Sequence, residues 1–122
     1  MASSETLKWP TIIHECLHGF SAGYDPKRDA DLEAWEEGVI ELLQRALRQR
    51  VLHEIGVQLP ESAFAARDEG HLYNRFLGEL ERSRNQLGME AEEFYLELLR
   101  MPFQERAPHV MGRVIRKLRG DP

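Results

Sequence analysis

Apolar residues along this chain recur at intervals of three and four, the spacing that keeps side chains on one face of an α-helix. A first such stretch, Trp9, Ile12, Ile13, Leu17 and Phe20, predicts a helix from about Pro10, a residue suited to a first turn, to about Ser21. Gly23-Tyr24-Asp25-Pro26 breaks it, and a loop covers Ala22 to about Ala30. The longest predicted element follows, N-capped by Asp29 or Asp31 and running through Leu32, Trp35, Val39, Leu42, Leu43, Leu47 and Val51 until Gly56. After Leu59-Pro60 a short helical turn spans Glu61 to Ala66. A third main helix is expected from about Glu69 to Leu87, with Leu72, Phe76, Leu77 and Leu80 inward and Gly88 closing it. Glu90 to Met101 forms a fourth, with Phe94, Leu98 and Met101 on one stripe. A last helix runs from about Ala107 to Leu118, with Val110, Val114, Ile115 and Leu118 facing the core. No run alternates in the manner of a half-buried strand and no hairpin turn is evident. The predicted fold is all-α: a compact bundle of about five helices, forming a single domain over residues 1–122.

Composition narrows the function classes. With 122 residues, 42% hydrophobic and 30% charged, the chain is long enough for one hydrophobic core. No apolar stretch approaches the roughly 20 residues that cross a bilayer, and Met1 to Trp9 lack the pattern of a secretory signal, so a cytoplasmic location is expected. A net charge of -5 argues against a phosphate-tracking surface and hence against nucleic-acid partners. Arg113, Arg116, Lys117 and Arg119 are read as cations that complement the dipole of the last helix. The single Cys16 rules out an internal disulfide and a cysteine-rich zinc finger, so any metal must be held by His and carboxylate. Cys16 itself is read as a small buried hydrophobe.

The chemistry concentrates at His14-Glu15-Cys16-Leu17-His18, an H-E-x-x-H pentapeptide in the first helix. On a helix the two imidazoles lie one turn apart on one face and can bind one ion, with Glu15 beside them. A catalytic zinc takes three protein ligands, and Glu37, separated from His18 by eighteen residues and followed by Gly38, is the candidate for the third.

The pattern H-E-x-x-H-x18-E followed by Gly, covering residues 14 to 41, resembles that of the gluzincin metallopeptidases. The resemblance implies a zinc ion held by His14, His18 and Glu37 between the first two helices, with Glu15 as the general base that takes a proton from the attacking water. It implies further that Glu41, one turn after Glu37, hydrogen-bonds a zinc-ligating imidazole, and that a downstream His or Tyr stabilises the oxyanion. His71 and Tyr73, at the start of the third main helix, are the candidates, while His53 and His109 are read as surface residues. The implied activity is peptide-bond hydrolysis on a peptide or protein substrate. Gluzincins carry a substrate-binding β-sheet ahead of the motif, and only thirteen residues precede His14. An upstream domain or a partner chain would have to supply it, or the domain is a minimal zincin-like one. Two alternatives remain: a non-catalytic helical interaction module, and a zinc endoribonuclease-like hydrolase, whose third His is here Tyr24.

Overall fold

The computed structural model describes residues 4–22 and 30–120, and the regular elements among them are all helical. They are α1 (Ser4–Phe20), α2 (Ala30–Glu54), a 3-10 turn (Glu61–Phe64), α3 (Ala65–Glu69), α4 (Asn74–Leu87), α5 (Ala91–Leu99) and α6 (Phe103–Leu118). The expected all-α bundle is therefore what forms, with six α-helices among the described residues. No described helix is long and apolar enough to cross a membrane.

The central element is α2, which packs against α1, α4, α5 and α6. Its Val39, Ile40, Leu42 and Leu43 are buried against Leu77 and Leu80 of α4, Phe94, Tyr95, Leu98 and Leu99 of α5, and Val110 of α6. Each fully buried aliphatic or aromatic side chain of this kind contributes about 1.5–3 kcal/mol through loss of apolar surface from water. Gly38 sets how closely α4 can approach, because a Cβ there would stand 2.9 Å from the Phe76 ring. With no side chain in the way, Phe76 lies on bare α2 backbone and meets Trp35 edge-on at 5.3 Å.

Several expected boundaries move, each for a local reason. The first helix begins at Ser4, with Pro10 inside it, and the last begins at Phe103 rather than Ala107, with Pro108 inside it. A proline in the early turns removes one backbone bond without preventing the helix from extending upstream. At the last helix Pro102, extended at φ -56° and ψ 149°, provides the N-terminal start. The expected continuous helix from Glu69 does not form. Gly70–Tyr73 turns instead, and Asn74 holds the turn by donating from Nδ2 to the carbonyls of Asp68 and Glu69, each at 2.8 Å. That turn carries Leu72 into solvent, 87% exposed, where an inward position was expected. Ile115 and Leu118, also expected inward, are 50% and 70% exposed, and Cys16 is exposed rather than buried. Gly88 ends α4 as expected, in the left-handed conformation at φ 67°. The Gly23-Tyr24-Asp25-Pro26 break and the Asp29 cap lie outside the described residues.

Candidate metal centre

The i, i+4 spacing on α1 puts His14 and His18 one above the other, with ring centroids 5.1 Å apart, facing the first turns of α2. There Glu36, Glu37 and Glu41 meet them. His14 Nε2 lies 2.8 Å from Glu37 Oε2, and His18 Nε2 lies 3.0 Å from Glu37 Oε1. Both imidazoles thus aim the same ring nitrogen at one carboxylate. Their other nitrogens are also engaged: His14 Nδ1 is 3.0 Å from Glu41 Oε1, and His18 Nδ1 is 2.9 Å from Glu36 Oε2.

The two flanking carboxylates are completely buried and each has its own cationic support. Glu41 accepts from Arg45 Nε at 2.8 Å, from Gln44, and from both terminal nitrogens of Arg67. Glu36 Oε1 accepts from Ser21 Oγ at 2.6 Å and from Arg106 Nη1 at 2.7 Å, and Arg106 is itself wholly buried. Further along α2, Arg48 lies over the Phe64 ring and binds Asp68 and Glu61. Burying ions this way is tolerable only because each meets an opposite charge with good hydrogen-bond geometry.

Electrostatics follow from these contacts. Burial alone would lower the pKa of His18, but its bonds to Glu36 and Glu37 outweigh that and raise it to about 9. His14 is shifted the same way, burial being overcome by Glu37 and Glu41. Burial pushes Glu37 up, yet the two imidazoles hold it down at about 2. Glu36 and Glu41 are likewise lowered against the burial penalty, Glu36 by His18, Ser21 and Arg106 and Glu41 by His14 and the arginines.

Two groups of ligand-type atoms lie close enough to surround an ion: His14, His18 and Glu37, and His14, Glu41 and His71, with the atoms of each within 4.8 Å of one another. The first is the better donor set. Two imidazole nitrogens and a carboxylate are the ligand types of a catalytic zinc, and a carboxylate on the far nitrogen of each imidazole orients such ligands and raises their basicity. In the second group Glu41 already carries Arg45 and Arg67, whose charges oppose a cation. A cavity of about 420 Å³ opens beside the first group, lined among others by His14, Glu15, Glu37, Arg67, His71 and Tyr73. It offers solvent a route to the space near Glu37.

Every residue expected to form a site falls at or beside this cluster. Glu15 is exposed on the cavity wall. His71 and Tyr73 line the same cavity, but from the turn before α4 rather than from the start of a helix. The Tyr73 amide donates to His71 Nδ1 at 3.2 Å, which places the proton of the neutral ring on Nε2, 3.6 Å from Glu41 Oε1. Burial lowers the pKa of His71 and so favours that neutral form. His53 is exposed, as expected; His109 is half-buried against Glu97.

Glu36, Ser21, Arg67 and Arg106 were not anticipated. Glu36 was hidden beside the motif glutamate. Arg106 carried a usable signal, since with Val110 and Val114 it repeats every fourth residue along the buried stripe of α6. Comparisons with protein-family models, curated proteins and solved structures return no match for this chain.

Proposed function

We propose that this chain is a zinc-dependent hydrolase of peptide bonds, with zinc held by His14, His18 and Glu37. One observation carries the reading: both Nε2 atoms converge on Glu37 while both Nδ1 atoms are fixed by buried carboxylates. A zinc ion in that position would supply a Lewis acid for the scissile carbonyl and lower the pKa of water. The chain's own residues supply the remaining roles. Glu15, on the cavity wall, takes the proton of the attacking water and returns it to the leaving amine. His71, which lines the same cavity and in its neutral form carries its proton on Nε2, would turn that donor to the developing oxyanion, with Tyr73 beside it. A substrate-binding sheet contributed by an upstream domain or a partner chain would complete the substrate site.

The test separates metal binding from turnover. Glu15→Gln retains stoichiometric zinc but loses hydrolysis of an unstructured protein substrate; turnover equal to that of the unaltered chain would sink the general-base role. A non-catalytic helical interaction module is the second reading, favoured by Met111, Ile115 and Leu118, which are half or more exposed along one line of α6. It requires zinc-loaded protein to show no hydrolysis that depends on Glu15.

A further inference from the structure

Glu37, and not its neighbour Glu36, faces both Nε2 atoms. Glu36 is a buried carboxylate one residue away, and its Oε2 is 2.9 Å from a nitrogen of His18. Its other oxygen is held by Ser21 Oγ at 2.6 Å and Arg106 Nη1 at 2.7 Å. The Arg106 guanidinium is in turn fixed from three directions. Its Nε donates to the Met101 carbonyl at 3.0 Å, and Nη2 donates to Ser21 Oγ at 2.9 Å, to the Leu99 carbonyl at 3.2 Å and to the Ala22 carbonyl at 3.4 Å. The Ala22 amide also bonds the Leu99 carbonyl at 2.9 Å, so the end of α1 is tied to the end of α5 at the same place.

We propose that Arg106 is a positioning residue for the metal centre: from α6 it holds Glu36 on His18 Nδ1, which keeps Glu36 out of the coordination sphere and presents His18 Nε2 to the ion. This deepens the proposed function and rests on it. Physically, a neutral imidazole carries one proton, and a carboxylate on Nδ1 places it there, leaving the Nε2 lone pair for a metal. Arg106 acts one step further out: it holds Glu36 Oε1 directly and, through Nη2, also fixes the Ser21 hydroxyl that bonds the same oxygen, so that Glu36 does not turn towards the ion. A residue seventy positions from Glu36 thereby sets which of two adjacent glutamates is the ligand.

Cobalt(II) titration of the whole chain, followed by visible absorption, tests this with four variants. R106M weakens cobalt binding roughly 10–100-fold and alters the absorption bands, because Glu36 loses its cationic anchor and Ser21 its fixed partner. R106K keeps the charge but not the fork, and falls between R106M and the unaltered chain; it also serves should R106M not fold. E36Q presents its carboxamide oxygen to Arg106 and therefore its NH2 to His18 Nδ1, forcing the ring proton onto Nε2 and abolishing tight binding. In the double variant E36Q/R106M the carboxamide is free to turn its oxygen to Nδ1, so cobalt binds more tightly than to E36Q alone. That recovery is the readout a merely structural arginine would not produce. Unchanged cobalt affinity and spectrum in R106M and R106K overturn the proposal, as does a double variant no better than E36Q. Absence of cobalt binding by the unaltered chain overturns this proposal and the zinc reading together, so the two failures are distinct.

Discussion

The two long faces of α2 are both buried and are built on opposite principles. One face, Val39, Leu42 and Leu43, meets α4, α5 and α6 through apolar contact, which is non-directional and accepts neighbours of about the right size. The other, Glu36, Glu37, Glu41, Gln44 and Arg48, meets α1, the 3-10 turn, α3 and Arg106 of α6, and there nearly every polar atom has a specified partner. Gln44 Oε1 is the buried side-chain atom left without one among the described residues. The apolar face supplies stability, whereas the polar face fixes geometry at a cost in desolvation that its pairing only offsets. A site that must hold two imidazoles in one orientation is better served by the second kind of contact.

The sharpest way to break this contrast is to remove one member of a buried pair. Arg106→Ala leaves Glu36 charged and buried, and the expected loss is about 3–5 kcal/mol in urea unfolding. Replacing both partners, Glu36→Leu with Arg106→Met, recovers much of that loss in stability but not the proposed metal binding. On the apolar face Leu43→Ala costs about 2–5 kcal/mol, with no companion substitution at the His14, His18 and Glu37 cluster able to restore it. If the double replacement unfolds as readily as Arg106→Ala, the polar face is contributing stability in its own right and the contrast is wrong.

Smaller effects sharpen the same comparison. Gly38→Ala pushes a Cβ into the Phe76 ring and should cost about 1–3 kcal/mol. The polar face should respond to pH where the apolar face does not. In the metal-free protein the pKa of His18 is raised from 6.5 to about 9, so its stabilisation is complete below pH 6.5 and is lost as the pH rises through 9. Glu37 is lowered from 4.5 to about 2, so its contribution holds above pH 4.5 and disappears as the pH falls through 2. Thermal melts should therefore show the melting temperature falling from pH 6.5 to 9, and a His18→Gln variant should flatten that limb. An unchanged slope in the variant would remove His18 as its source. Least affected should be Leu72→Ser, on the exposed turn, within about 0.5 kcal/mol.

How much of this was legible in the sequence differs between the two faces for a physical reason. Apolar spacing located Val39, Leu42, Leu43, Leu77, Leu80, Phe94, Leu98 and Val110 in the core, because burial of such residues is a property of their own pattern. It overreached at Leu72, Ile115 and Leu118, where a turn and a helix end leave the stripe uncovered. The motif spacing brought His14, His18, Glu37 and Glu41 into consideration, and the fold does gather them. What surrounds them was not legible, since a charged residue at buried spacing reads like a solvated face until its partner is known. Glu37, Glu41, Gln44 and Arg48 recur at intervals of four, three and four, the interval of a buried stripe, yet their partners come from distant segments. Arg67 and Asp68 become their neighbours, and Arg106 becomes that of Glu36, only through tertiary packing.

The most direct measurement is the metal content of the protein after incubation with zinc and exhaustive dialysis, made on the unaltered chain and on His18→Ala. One zinc per chain in the first and none in the second is the predicted result. No retained zinc in the unaltered chain, or equal retention by His18→Ala, would contradict a metal centre at His14, His18 and Glu37.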